Sequence, residues 1–167
     1  MRIGKHGLLD HLRLLAPLFG FIAAVWALRM VVFAAGAPRF SVELRVISVT
    51  VAGGLSVLLA VLMIHRRNFG GYASVVAAVF LLSCWEQVLI SAAIIFTALT
   101  GIANVYTGPD LAFVPGMWRH AAGHLTFGIG FSAILGSAMA CILFWMLRRA
   151  DSHGTAGAHP HALGGKR

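Results

Sequence analysis

Four apolar stretches fill most of this 167-residue chain, and each is about as long as a bilayer is thick. A crossing helix needs roughly 20 mostly apolar residues. The stretches run over about residues 14–35, 46–64, 72–99 and 120–147, with room only for connections between them. Composition agrees with that reading. The chain is 59% hydrophobic and only 11% charged, with a mean hydropathy of +0.87, whereas soluble domains carry roughly a quarter charged residues. The expectation is an all-α integral membrane four-helix bundle over residues 1–150, followed by a disordered cytoplasmic tail over residues 151–167.

The first stretch follows Arg2, Lys5 and Arg13, and Ala35-Gly36-Ala37 has the form of a signal cleavage site. The run is too long for a signal core, Arg29 interrupts it, and Pro38 would follow the cut. It is read as a retained helix. The tail (DSHGTAGAHPHALGGKR) is rich in Gly, Ala and His and has little to bury. Its His153, His159 and His161 are read as part of a flexible segment, with only weak metal affinity.

A formal charge of +8 in a soluble protein would point to nucleic acid. Here the basic residues sit at the ends of the apolar stretches, which excludes that class and gives orientation. Arg2, Lys5, Arg13, Arg66, Arg67, Arg148, Arg149, Lys166 and Arg167 fall on one side, against Arg39, Arg45 and Arg119 on the other. By the positive-inside rule both termini are cytoplasmic. The expected location is a bacterial-type inner membrane, crossed several times.

Two opposite charges lie inside the apolar stretches, Arg29 in the first and Glu86 in the third. Ionisable groups at bilayer depth are expensive, so they are usually paired or functional. Arg29 is 16 residues past Arg13 and Glu86 is 14 past Tyr72, depths of roughly 24 and 21 Å at 1.5 Å per residue. Ser132 and Thr50 fall near the same level. The sequence therefore predicts an Arg29–Glu86 charge pair within a polar layer completed by Thr50 and Ser132. On a structural account the pair fixes helix register. On a functional account Glu86 loads and releases a proton or ion. Pairing would make Arg29→Gln and Glu86→Gln each destabilising, with recovery in the double variant.

His120 and His124 are one helical turn apart on one face and could supply two metal ligands. Asp110, Glu43 or Asn104 would have to complete such a site. Enzymes built on histidine boxes need several such pairs, and this chain has one. Cys84 and Cys141 form no CxxC, so dithiol chemistry lacks its motif. Nucleophile, phosphate-cradle and dinucleotide motifs are missing too. No cofactor is expected, and a metal only at His120, His124 and Asp110.

Small residues four apart mark packing faces in lipid. They occur as Ala16-Gly20-Ala24, Ser48-Ala52-Ser56-Ala60, Ser74-Ala78 and Gly128-Ser132-Gly136-Ala140. These faces suit contact with lipid-embedded partners, either other membrane proteins or further copies of the chain. The leading expectation is thus an accessory or structural subunit of a larger membrane assembly. A small proton- or ion-coupled transporter or channel using Glu86 and Arg29 is the first alternative. A metal or redox protein with its site at His120 and His124 is the second.

Overall fold

The first helix begins well before its apolar stretch, and the reason is a cap. In this computed structural model, which describes residues 2–3, 6–38, 41, 44, 47–107 and 116–156, α1 spans Leu8–Ala34. The Gly7 N–H donates to the Asp10 carboxylate at 2.8 Å, and an acid in the first turn also suits the helix dipole. His11, fully buried, sets Nδ1 2.9 Å from the Gly7 carbonyl and meets the Phe69 ring edge-on at 5.0 Å. Ahead of α1, a two-residue antiparallel ladder joins β1 (Arg2–Ile3) to β2 (His6–Gly7).

α2 spans Val49–Arg66 and α3 spans Tyr72–Thr100. The tight turn between them ends α2 with the Phe69 N–H reaching back to the Ile64 carbonyl at 2.9 Å. Asn68 makes this possible by adopting a left-handed φ of 49°, a conformation Asn tolerates better than most side chains. The fourth crossing is one long rod in three parts: α4 (Met117–Gly123), a π-helical turn (His124–Gly128) and α5 (Ile129–Ala156).

α5 runs six residues into the segment read as disordered tail. Asp151 lies 3.1 Å from His65 Nε2 at the end of α2, and the Ser152 hydroxyl donates to the Arg149 carbonyl at 2.7 Å. The rod therefore has a partner beyond the apolar stretch, which composition alone did not reveal. Residues 157–167 lie outside the described residues, as do Arg39, Arg45 and the stretch 108–115.

All four crossings are long and apolar enough to span a membrane. α3 sits at the centre and packs on α1, α2, α4 and α5, while α1 and α5 each pack on α2 as well. Burial follows that plan. Half of the most apolar window of α3 is buried, against 17% in α1 and 11% in the fourth rod. α1 is held to α3 partly by the Trp85 indole, which donates to the Phe19 carbonyl at 3.0 Å and packs edge-on to the Phe19 ring.

Three of the four small-residue faces are used inside the bundle. Ala52, Ser56 and Ala60 of α2, Ser74 and Ala78 of α3, and Ala140 of α5 are buried. A Cβ added at Gly136 would lie 2.9 Å from Val79 Cγ1, so α5 approaches α3 closely there. The fourth face points outward: Ala16, Gly20 and Ala24 are exposed, and a Cβ on Gly20 would meet nothing within 4 Å. Gly136→Leu should therefore destabilise the bundle by about 1–3 kcal/mol through overpacking. Gly20→Leu should leave the monomer's stability unchanged or slightly raised, since Leu is the better helix former. Thermal unfolding of both variants in detergent checks this contrast.

Candidate functional site

Successive residues on a helix point about 100° apart, so three in a row on a central helix can address three different neighbours. Trp85, Glu86 and Gln87 do this. Trp85 engages α1 as described. Glu86 faces α2, where its carboxylate abuts Gly53 and lies beside the Thr50 hydroxyl. A Cβ at Gly53 would overlap the carboxylate, so only glycine leaves room for the acid. Gln87 faces the π-helical turn: its Oε1 is 2.7 Å from His124 Nδ1, and a Cβ on Gly128 would sit 2.7 Å from the same oxygen. Glu86 and Gln87 are only 7% and 6% exposed.

The π turn is braced by the same face of α3. Ser91 donates its hydroxyl to the Ala121 carbonyl at 3.2 Å, and Thr126 donates to the Ala122 carbonyl at 2.8 Å. Side-chain hydroxyls thus add donors to carbonyls at the start of the widened turn. His120 stacks obliquely on His124, with ring centroids 5.1 Å apart. With the Gln87 oxygen as acceptor, His124 donates from Nδ1.

Beyond α3 the chain folds back into the bundle instead of leaving it. Gly101 takes a left-handed φ of 73° and its N–H bonds the Thr97 carbonyl at 2.8 Å. Asn104 then donates through Nδ2 to the Ala93 carbonyl at 2.6 Å and to Thr97 Oγ1 at 2.8 Å, while its Oδ1 accepts the Tyr106 N–H at 2.9 Å. Ala93 lies seven residues before the end of α3, so the returning chain reaches roughly 10 Å back along the helix. Non-helical backbone at such depth must be buried in protein and fully bonded. Asn104 provides that bonding, and for the same reason it is not free to act as a metal ligand.

The fold-back places Tyr106 under Arg29. The guanidinium carbon is 5.2 Å from the ring centroid, a cation–π contact. Burial pushes the Tyr106 phenol up to about 12, against a weaker downward pull from the Arg29 charge. The ring is therefore neutral at neutral pH. Tyr106 also feels the Glu86 charge, but Arg29 and Glu86 themselves form no direct ion pair, their charged groups staying more than 4.0 Å apart. The two residues share a depth, yet Arg29 is occupied by an aromatic face that the sequence pattern did not suggest.

Thr50, Glu86 and Ser132, together with Ser83, line one cavity of about 400 Å³ between α2, α3 and α5. Its other walls are apolar, and no Lys, Arg or His lines it. Among the described residues no three His, Cys, Asp or Glu side chains converge as a metal site would require. His120 and His124 supply two such groups, and Asp110 and Glu43 lie outside the described residues. Gln87 and Tyr106 were missed as site residues. A polar pair in mid-helix, Glu86-Gln87, was the available signal for the first, and nothing local marks the second.

No protein-family model matches this chain, and no curated protein or solved structure is significantly similar to it. The contacts predict a specific energetic pattern. A double-mutant cycle of Arg29→Gln with Glu86→Gln should show coupling below about 0.5 kcal/mol, as for residues without direct contact. A cycle of Arg29→Gln with Tyr106→Leu should show about 0.5–2 kcal/mol. Unfolding of the purified protein in mild detergent supplies the stabilities, and a strong first cycle would restore the ion pair.

Proposed function

We propose that this chain is a small multi-pass protein of a bacterial-type inner membrane, with both termini cytoplasmic, that exchanges a proton or a cation at Glu86. One observation carries the reading. Glu86 is a buried carboxyl midway along the apolar helix α3, lacks a basic partner within ion-pair distance, and opens on a cavity of about 400 Å³. A structural acid at this depth is expected to be matched by a direct counter-charge. The polar groups around Glu86 are the Thr50 hydroxyl of α2 and, on the same cavity, the Ser83 and Ser132 hydroxyls. None of them neutralises it by contact, which suits a carboxyl that changes its proton or its ion. The orientation rests on the nine-to-three distribution of Lys and Arg.

Four helices enclose little on their own, so the activity belongs to an oligomer or a larger assembly. The outward face of Ala16, Gly20 and Ala24 on α1 favours both arrangements. It also keeps open the second reading, an accessory subunit docked through α1. A purification from native membranes separates them: a homo-oligomer supports exchange within this chain, and a discrete complex with other proteins supports the subunit reading. Gly20→Leu should break either association while leaving the bundle folded.

Dicyclohexylcarbodiimide, which reacts with protonated carboxyls in apolar surroundings, tests the acid itself. In proteoliposomes it should label Glu86, more slowly as the pH is raised, and Glu86→Gln should give no labelled product. Entry of protons into these liposomes under an imposed potential, read by a trapped pH dye, should fall toward the protein-free rate in Glu86→Gln. A wild-type protein that is never labelled, at any pH from mildly acidic to mildly alkaline, would remove the proposal.

A further inference from the structure

The cavity at Glu86 has features that select one class of ligand. About 400 Å³ is within the range of small-molecule sites, which are mostly apolar with a few placed polar groups. Here the apolar wall is made by Val57 and Leu58 of α2, Leu82 of α3, and Phe131, Leu135 and Met139 of α5. The polar groups are one carboxylate and three hydroxyls, Thr50, Ser83 and Ser132. The carboxylate only accepts and the hydroxyls can accept as well, so the one fixed charge in the cavity favours a cationic or N–H-bearing head over an anion. The carboxylate is more than nine-tenths buried and aimed into the space that Gly53 leaves open.

The position of the mouth adds the second constraint. Leu58, Phe131, Leu135 and Met139 are exposed on the outer surface of two membrane-crossing helices, so the cavity opens sideways between α2 and α5. That opening faces acyl chains, not water. A ligand that arrives there is already dissolved in the membrane, which excludes inorganic cations and strongly hydrated amines. Phe131 offers an aromatic face to a quaternary or phosphonium centre, and Met139 adapts to irregular apolar shapes.

We infer that the α2–α3–α5 cavity binds an amphiphilic organic cation from the bilayer, with its charge on Glu86 and its apolar body against α2 and α5. This deepens the exchange reading and rests on it: the cation and the proton would occupy Glu86 alternately. An acyl chain or a helix of a partner would fill the apolar part of the space but leave the carboxylate without a counter-charge, so the charge favours the organic cation.

The test uses the full chain in nanodiscs and two probes of the same shape and opposite sign, tetraphenylphosphonium and tetraphenylborate. Equilibrium dialysis should show saturable binding of the phosphonium alone, weakened by more than about tenfold in Glu86→Gln, as for loss of one partner of a buried charge pair. In the unaltered protein, which avoids any folding defect of the variant, saturating phosphonium should protect Glu86 from dicyclohexylcarbodiimide and the borate should not. Equal binding of both ions, or undiminished binding in a folded Glu86→Gln, would overturn the inference. Carbodiimide labelling that the phosphonium never slows would also overturn it, while leaving proton exchange at Glu86 intact. Absence of labelling altogether would overturn both.

Discussion

A polar side chain on the central helix of a membrane bundle cannot turn to water, so each must find a partner on whichever helix it faces. In lipid an unsatisfied polar group costs several kcal/mol, and that penalty organises this molecule around α3. Trp85 bonds a carbonyl of α1, Glu86 enters the space beside Gly53 of α2, and Gln87 bonds His124 of the fourth rod. Ser91, Thr97 and Asn104 continue the same logic toward the end of the helix. The glycines follow from it, because Gly53 and Gly128 stand where those polar tips need space. The π turn lies in the same contact: Gln87 bonds its histidine, and Ser91 bonds the Ala121 carbonyl in the turn of α4 just before it.

How much of this was legible in the sequence depends on dimension. Position along a helix can be counted at 1.5 Å per residue, and the helix number and approximate boundaries follow from such counting. Neighbour identity cannot be counted. Arg29 and Glu86 share a level but lie against different surfaces, one over Tyr106 and the other beside Gly53. The residue at Arg29 comes from a connection whose composition suggests a segment lying along the interface or capping the bundle, since nothing in Ile102-Ala103-Asn104-Val105-Tyr106 announces how far it turns back into the helices. Only the bonds of Asn104 to Ala93 and Thr97 make that return tolerable. The two ends of the bundle were misjudged for a related reason. Asp10 and Asp151 extend α1 and α5 through polar contacts, and apolar patterning does not register those.

The small-residue faces illustrate the limit of pattern reading from the other direction. All four have the same spacing, yet three are consumed by contacts among α2, α3 and α5, and one is left on the outside of α1. Spacing identifies a surface able to approach another closely. It does not say whether that other surface belongs to the same chain. The periphery of α1 and the low burial of the fourth rod therefore describe a bundle whose outward helices meet either lipid or neighbours.

The separation of Arg29 from Glu86 also changes what each residue is for. A guanidinium seated on a neutral aromatic ring keeps its full positive charge and needs no carboxylate to remain in place. It closes no ion pair with Glu86, which stands instead beside the Thr50 hydroxyl. A direct contact would hold the carboxylate ionised and occupied, as buried pairs do. With Arg29 seated on Tyr106, Glu86 borders the cavity with no basic partner within ion-pair distance. The re-entrant segment is thus more than a lid on α3: it presents Tyr106 to Arg29, and the exchange proposed at Glu86 would depend on the two charges staying apart.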